Sequence, residues 1–204
     1  MRDLTYEFDT KNTVLETYEW DNTWIEFAND KFANRILYIG DSISGDTRYY
    51  LNELLNDNAL VDRFGTSKSL DNPYFFESLK VYTKQLPKID AILFNNGLHG
   101  WHLNDDSEYP AHYEKMLEFL IKEYNVPIYI VLTTFVKDIE RNNRVIERNS
   151  AVLKIAEKYN LKTIDLYTAS KENSFMMFED GVHFVQEGYK LLAQTIYNGL
   201  KENL

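Results

Sequence analysis

The stretch Ile36-Leu37-Tyr38-Ile39-Gly40-Asp41-Ser42 decides the fold. Its apolar run gives a strand that is apolar on both faces, which is stable inside a sheet covered on both sides. The glycine ends the strand, and Asp41-Ser42 open a turn ahead of a helical pattern. A parallel sheet brings such a turn, with its serine hydroxyl, to the carboxyl edge of the strands, where open α/β sheets bind ligands. Working outward, apolar runs predict strands over Arg35–Ile39, Leu60–Asp62, Ala91–Phe94, Ile128–Leu132 and Thr163–Asp165. Helical spacing predicts helices over Thr47–Asn56, Tyr74–Thr83, Tyr109–Tyr124, Ile139–Tyr159 and Gln186–Leu200, the last with Tyr189, Leu192 and Ile196 as its inward stripe. Strand–helix alternation with short links predicts a three-layer α/β/α sandwich around a parallel five-stranded sheet. Residues 1–34 are polar and aromatic without periodicity. They read as an N-terminal extension packed on a single domain, 35–204.

A chain of 204 residues is long enough for one such domain with its own core. The balance of 32 acidic against 22 basic residues, net −10, disfavours nucleic acid and anionic membranes, which demand a basic surface. With no cysteine there is no disulfide, thiolate metal site or cysteine nucleophile. The start Met1-Arg2-Asp3-Leu4-Thr5-Tyr6-Glu7 has no apolar h-region, and no window nears the roughly 18 apolar residues of a membrane span. The chain therefore reads as cytoplasmic, or as secreted where a leader has been removed, with no integral membrane association. Nothing in the sequence specifies an oligomeric state.

Near the other end stands Asp180-Gly181-Val182-His183, a carboxylate and an imidazole three positions apart, between an apolar stretch and the final helix. A serine hydroxyl has too high a pKa to attack unaided at neutral pH. An imidazole must take its proton, and a carboxylate must fix the imidazole's tautomer. Ser42, His183 and Asp180 supply all three groups on loops. A third segment, Asn95-Asn96-Gly97-Leu98-His99-Gly100-Trp101-His102, follows the strand Ala91–Phe94 and gathers hydrogen-bonding side chains at one strand end. Its Asn96-Gly97 pair also fits ordinary turn chemistry.

These blocks carry a family resemblance. Gly40-Asp41-Ser42, the glycine-bearing Phe64-Gly65-Thr66-Ser67, the Asn95–His102 block and Asp180-Gly181-Val182-His183 stand in the order of the SGNH (GDSL-like) hydrolases, and the resemblance runs from about Arg35 to the C-terminus. It implies a flavodoxin-like α/β/α fold and an esterase, lipase or deacetylase, with some relatives acyltransferases. It further implies Ser42 as nucleophile, His183 as general base, Asp180 as its orienter, and an oxyanion hole from the Ser42 and Gly65 N–H groups with a third-block side chain. In the usual third block an asparagine follows Gly-x; here Gly97-Leu98-His99 puts His99 at that place, and Asn96 is the other candidate. The Asn-Asn-Gly-Leu-His-Gly-Trp run also resembles the Asn-x-Gly-His-Trp block of plant polysaccharide O-acetyltransferases, which points to acetyl esters on carbohydrate.

Asp41, Trp101 and His102 are expected to line the substrate site. Trp20, Trp24 and Trp101 could stack on a sugar ring, although tryptophan more often fills core. Asp46 is read as a helix N-cap. Arg141, Arg144 and Arg148 fall on one helical face with Glu140 and Glu147 and are read as a solvated, salt-bridged surface. No His-Glu-x-x-His spacing occurs, so neither a metal nor a cofactor is expected. The sequence thus predicts a serine esterase acting on small-acyl esters of a small molecule or carbohydrate. An O-acyltransferase sharing the acyl-enzyme and a non-catalytic carbohydrate-binding module are the alternatives.

Overall fold

The computed structural model describes residues 15–56 and 58–201, so residues 1–14 of the N-terminal extension lie outside the described residues. The elements in chain order are β1 (Asp21–Trp24), β2 (Arg35–Gly40), α1 (Ser44–Leu55), β3 (Leu60–Thr66), α2 (Phe75–Thr83), β4 (Ala91–Phe94), α3 (Glu108–Tyr124), β5 (Ile128–Val131), α4 (Ile139–Lys158), β6 (Lys162–Ile164), α5 (Leu166–Glu172) and α6 (Gln186–Lys201). A 3-10 turn at Ser174–Met176 precedes the last loop. The sheet order is β1-β3-β2-β4-β5-β6. From β3 to β6 every pairing is parallel. Leaving β1 aside, this is the flavodoxin-like order, whose switch point lies between β2 and β4.

The five expected strands are present, and a sixth joins them. β1 pairs antiparallel with β3 at the sheet's edge, with Asp21 opposite Thr66 and Trp24 opposite Arg63, so the sheet is six-stranded and mixed. All four β1 residues are exposed, which is why no apolar run announced the strand.

Alternation along β2 builds two cores. Ile36 and Tyr38 face one side, with Leu51 and Leu55 of α1 and Leu192 and Ile196 of α6. Leu37 and Ile39 face the other, with Phe75 and Leu79 of α2, Met116 and Leu120 of α3, and Val152 and Ile155 of α4. A period-2 strand between two helical layers produces this division directly. At the amino end of β2, Arg35 is fully buried against Asp62 of β3 at 2.8 Å and also donates to the carbonyls of Glu26, Phe27 and Asp30. Among the described residues no helix is long and apolar enough to cross a membrane.

Candidate active site

β2 delivers Gly40-Asp41-Ser42 to the carboxyl edge of the sheet. A Cβ at Gly40 would come within 2.9 Å of Ser44 Cβ, so the close start of α1 requires the glycine. The helix begins at Ser44, three residues before the expected start, and Asp46 sits in its first turn rather than at the N-cap. There its charge complements the positive end of the helix dipole. Asp41 does not line an open site: it is 2% exposed, and its Oδ1 accepts the Ile43 N–H at 3.0 Å. The Asp41 carbonyl accepts from Ser44 N (3.2 Å), Ser44 Oγ (2.6 Å) and Arg63 Nη2 (2.9 Å). Because a trans peptide sets C=O and N–H on opposite sides, the Ser42 N–H points the other way. It has no hydrogen-bond partner among the described residues and lies at the amino end of α1, so it is a donor available to a developing negative charge.

The loop after the 3-10 turn brings the second group. Gly181 adopts a positive φ of 74°, and its carbonyl accepts the Lys137 N–H at 2.8 Å. This turn lets Asp180 Oδ1 take the N–H groups of Val182 and His183, both at 2.9 Å. Asp180 Oδ2 lies 2.7 Å from His183 Nδ1, and His183 Nε2 lies 2.8 Å from Ser42 Oγ across 141 positions of sequence. Partial burial pushes the Asp180 carboxyl up. The Val182 N–H, the His183 ring and the His183 N–H together outweigh it and hold the group below the usual carboxylate value. With Nδ1–H donated to the carboxylate, Nε2 is the acceptor for the serine proton.

The third block lies beside β2 at the switch point. Gly97 is obligatory, because a Cβ would come 1.8 Å from Thr133 Oγ1. The Asn95 amide donates to the Val131 carbonyl at 2.8 Å, and the Asn96 amide to the Lys68 carbonyl at 3.0 Å. His99 is buried, with its ring edge against Trp20 at 6.0 Å and Nδ1 3.7 Å from Glu16 Oε1. Glu16 Oε1 also accepts the Gly100 N–H at 2.8 Å. His102 is paired with Asp71 at 2.9 Å.

Two expectations fail here. Trp101 is not a sugar platform: it is buried, with the guanidinium groups of Arg148 and Arg144 over its ring at 4.5 and 5.1 Å. Arg144 and Arg148 are not a solvated face either. Arg148 is fully buried and donates to the carbonyls of Gly97 (3.0 Å), His99 (2.7 Å) and Gly100 (2.8 Å) and to Asp105 (2.6 Å). Arg144 also pairs with Asp105 and holds the carbonyls of Trp101 and Leu103. The carbonyl-rich loop supplies the acceptors that a solvated face would have found in water.

Gly65 needs a different account from the one the resemblance implied. Leu60 N–H donates toward β2, to the Asn34 carbonyl, whereas Ser67 N–H donates toward β1, to the Trp20 carbonyl. N–H groups alternate sides along a strand paired on both flanks, so Gly65 faces β1, opposite Asn22. Its N–H belongs to the sheet and turns away from β2 and Ser42. A Cβ there would lie 2.2 Å from Arg63 Nη2, so any other residue at 65 would displace the guanidinium. Sequence reasoning missed Arg63, Asp105 and Glu16, and named Trp20 only as a sugar platform or core residue; charge in an apolar strand was the one available signal for Arg63. Among the described residues no three His, Asp or Glu side chains gather as a metal site would need.

No family model matches the sequence, and no curated protein matches it. Solved structures do match, and they share the fold of the GDSL/SGNH lipolytic hydrolases. A member of the lipolytic protein G-D-S-L family from Veillonella parvula DSM 2008 superposes with a TM-score of 0.67 at 19% identity, over 84% of this chain and 100% of that one. An acetyl xylan esterase gives 0.67 at 16% identity, over 81% and 99%. The C-terminal catalytic domain of Streptococcus pneumoniae peptidoglycan O-acetyltransferase A, carrying a methylsulfonyl adduct, gives 0.61 at 20%, over 83% and 94%.

Proposed function

We propose that the protein is a serine esterase that removes small acyl groups, acetate foremost, from carbohydrate or other small-molecule esters. The observation that carries this reading is the continuous hydrogen-bonded line from Ser42 Oγ through His183 to Asp180. Ser42 Oγ attacks the ester carbonyl carbon as its proton passes to His183 Nε2. The tetrahedral oxyanion is met by the Ser42 N–H and by a third-block donor, for which His99 is the first candidate. Asn96 is the second, its amide already donating to Lys68. His183 returns the proton to the departing alcohol, takes one from water as it attacks the acyl-serine, and gives that proton to Ser42 Oγ as the acyl–oxygen bond breaks and the acid leaves. Asp180 keeps the imidazole in the tautomer that accepts at Nε2. The acetyl preference is supported by the acetyl xylan esterase and O-acetyltransferase among structures of this fold.

Fluorophosphonate treatment followed by peptide mass spectrometry tests the nucleophile: a single adduct on Ser42 is expected, absent in Ser42→Ala. Assays on nitrophenyl acetate and acetylated oligosaccharides should show turnover in the wild type and only the residual catalysis of binding and oxyanion contacts in Ser42→Ala. An active wild type labelled elsewhere refutes the assignment. The likeness to an O-acetyltransferase domain favours a second reading, in which the same acyl-enzyme passes its acyl group to a sugar hydroxyl. Added sugar acceptors then divert product from free acid to acylated sugar.

A further inference from the structure

We propose that Arg63 is the positioning residue of the nucleophile turn and that residue 65 is glycine to admit it, an assignment that rests on the esterase reading above. Arg63 is buried on β3, and its guanidinium joins three parts of the site. Nη2 donates to the Asp41 carbonyl (2.9 Å), Nε to Ser44 Oγ (2.8 Å), and Nη1 to the side chain (2.6 Å) and carbonyl (3.2 Å) of Asn22 in β1. Ser44 Oγ in turn donates to the same Asp41 carbonyl at 2.6 Å. The Nη2 and Ser44 Oγ bonds hold the inner side of the Asp41–Ser42 peptide, and the bonds to Ser44 and Asn22 hold the guanidinium that makes them. Turning that peptide over would break the bonds to the Asp41 carbonyl and aim the Ser42 N–H into the protein, away from an oxyanion. The planar fork of arginine suits this task, since it reaches several fixed acceptors at once.

The site spends a buried cation on this. Among the described residues Arg63 makes no ion pair; its partners are carbonyl, hydroxyl and amide oxygens. Burial disfavours the charged guanidinium, as its lowered pKa reflects. A group retained at that cost, on the inner side of the peptide whose N–H faces outward, places positive potential beneath the developing oxyanion. The glycines agree. A Cβ on Gly65 would lie 2.2–2.3 Å from Nη2 and Cζ, and one on Gly45 of α1 would lie 3.5 Å from Cζ, so the guanidinium fills the space between them.

The test is a double-mutant cycle with Arg63→Met and Gly65→Ala, read as kcat and KM on nitrophenyl acetate at a temperature where circular dichroism shows each variant folded. Either single change should lower kcat by about 10–100-fold and move KM by less than about threefold, as misplacement of a transition-state donor does. The double variant should be no slower than the worse single, because both remove one device. Arg35→Lys is the control, a buried arginine at the other end of β2, about 17 Å by strand rise from Gly40 and the nucleophile turn; it should lose stability and keep kcat. Losses that multiply in the double variant, a kcat in folded Gly65→Ala within about twofold of wild type, or an equal fall in Arg35→Lys would each overturn the proposal. A wild type that neither turns over esters nor labels at Ser42 refutes the esterase reading and this assignment with it. A wild type that does both while Arg63→Met keeps its kcat refutes this assignment alone.

Discussion

Arg148→Met removes the guanidinium beneath the third block and leaves a side chain that can still cover Trp101. Four hydrogen bonds go: three to the carbonyls of Gly97, His99 and Gly100 and one to Asp105. Each buried carbonyl left without a donor costs about 1–3 kcal/mol, and these costs overlap because one loop shift rehydrates several of them. Breaking a buried ion pair costs about 3–5 kcal/mol when the partner is stranded. Here Asp105 retains Arg144, so the total should fall near about 3–5 kcal/mol rather than at the sum. For a chain of this size that is a fall in Tm of about 6–20 °C, at about 2–4 °C per kcal/mol. Urea unfolding should show a lower midpoint with an unchanged m-value. Native-state hydrogen exchange should accelerate over 97–101 more than in β4. A loss below about 1 kcal/mol, or uniform exchange across both segments, would refute the idea that Arg148 holds this loop.

Asp180→Asn should lower kcat by on the order of 10³–10⁴ by releasing the imidazole's tautomer; a loss under tenfold on nitrophenyl acetate removes Asp180 from the mechanism. Because the Asp180 carboxyl is held below its ordinary 3.8, its contribution to stability is fully present above that value and is lost as pH falls through the lowered one. Asp180→Asn should therefore flatten the acid limb of a Tm–pH curve below about pH 4 and leave the neutral region's slope unchanged. His99→Ala should cut kcat by roughly 10²–10³ and Asn96→Ala by much less, since the Asn96 amide already serves the Lys68 carbonyl. Steady-state kinetics that reverse the order would move the donor role to Asn96.

The parts of the fold written as apolar runs were legible, because β2, β4 and β5 must be apolar on both faces to sit between two helical layers. Ser42, Asp180 and His183 were legible as residue types awaiting partners on loops, and the sheet order explains how a span of 141 positions closes. β1 was hidden because an edge strand with exposed side chains needs no apolar pattern; its pairing comes from backbone groups that every residue has. The arginines misled for the opposite reason. A helical triplet such as Arg141, Arg144 and Arg148 carries no mark telling water from a ring of carbonyls, and those acceptors lie on a loop more than 40 positions away. Gly65 matched a glycine pattern for a steric reason, and sequence shows only that the side chain is missing.

β1 also sets an order in time. Asp21 and Thr66 face each other 45 positions apart, so the strand leaves the ribosome before its partner exists. At roughly 5–20 residues per second, about 2–9 seconds pass before β3 follows. The parallel β2–β4 pairing spans 55 positions, Ile36 to Ala91, so β1 must wait for β3 but not for the rest of the sheet. The same segment carries Glu16 to Gly100, Trp20 to His99 and Asn22 to Arg63. The edge strand thus ties three parts of the site to one segment that can dock only once β3 is in place.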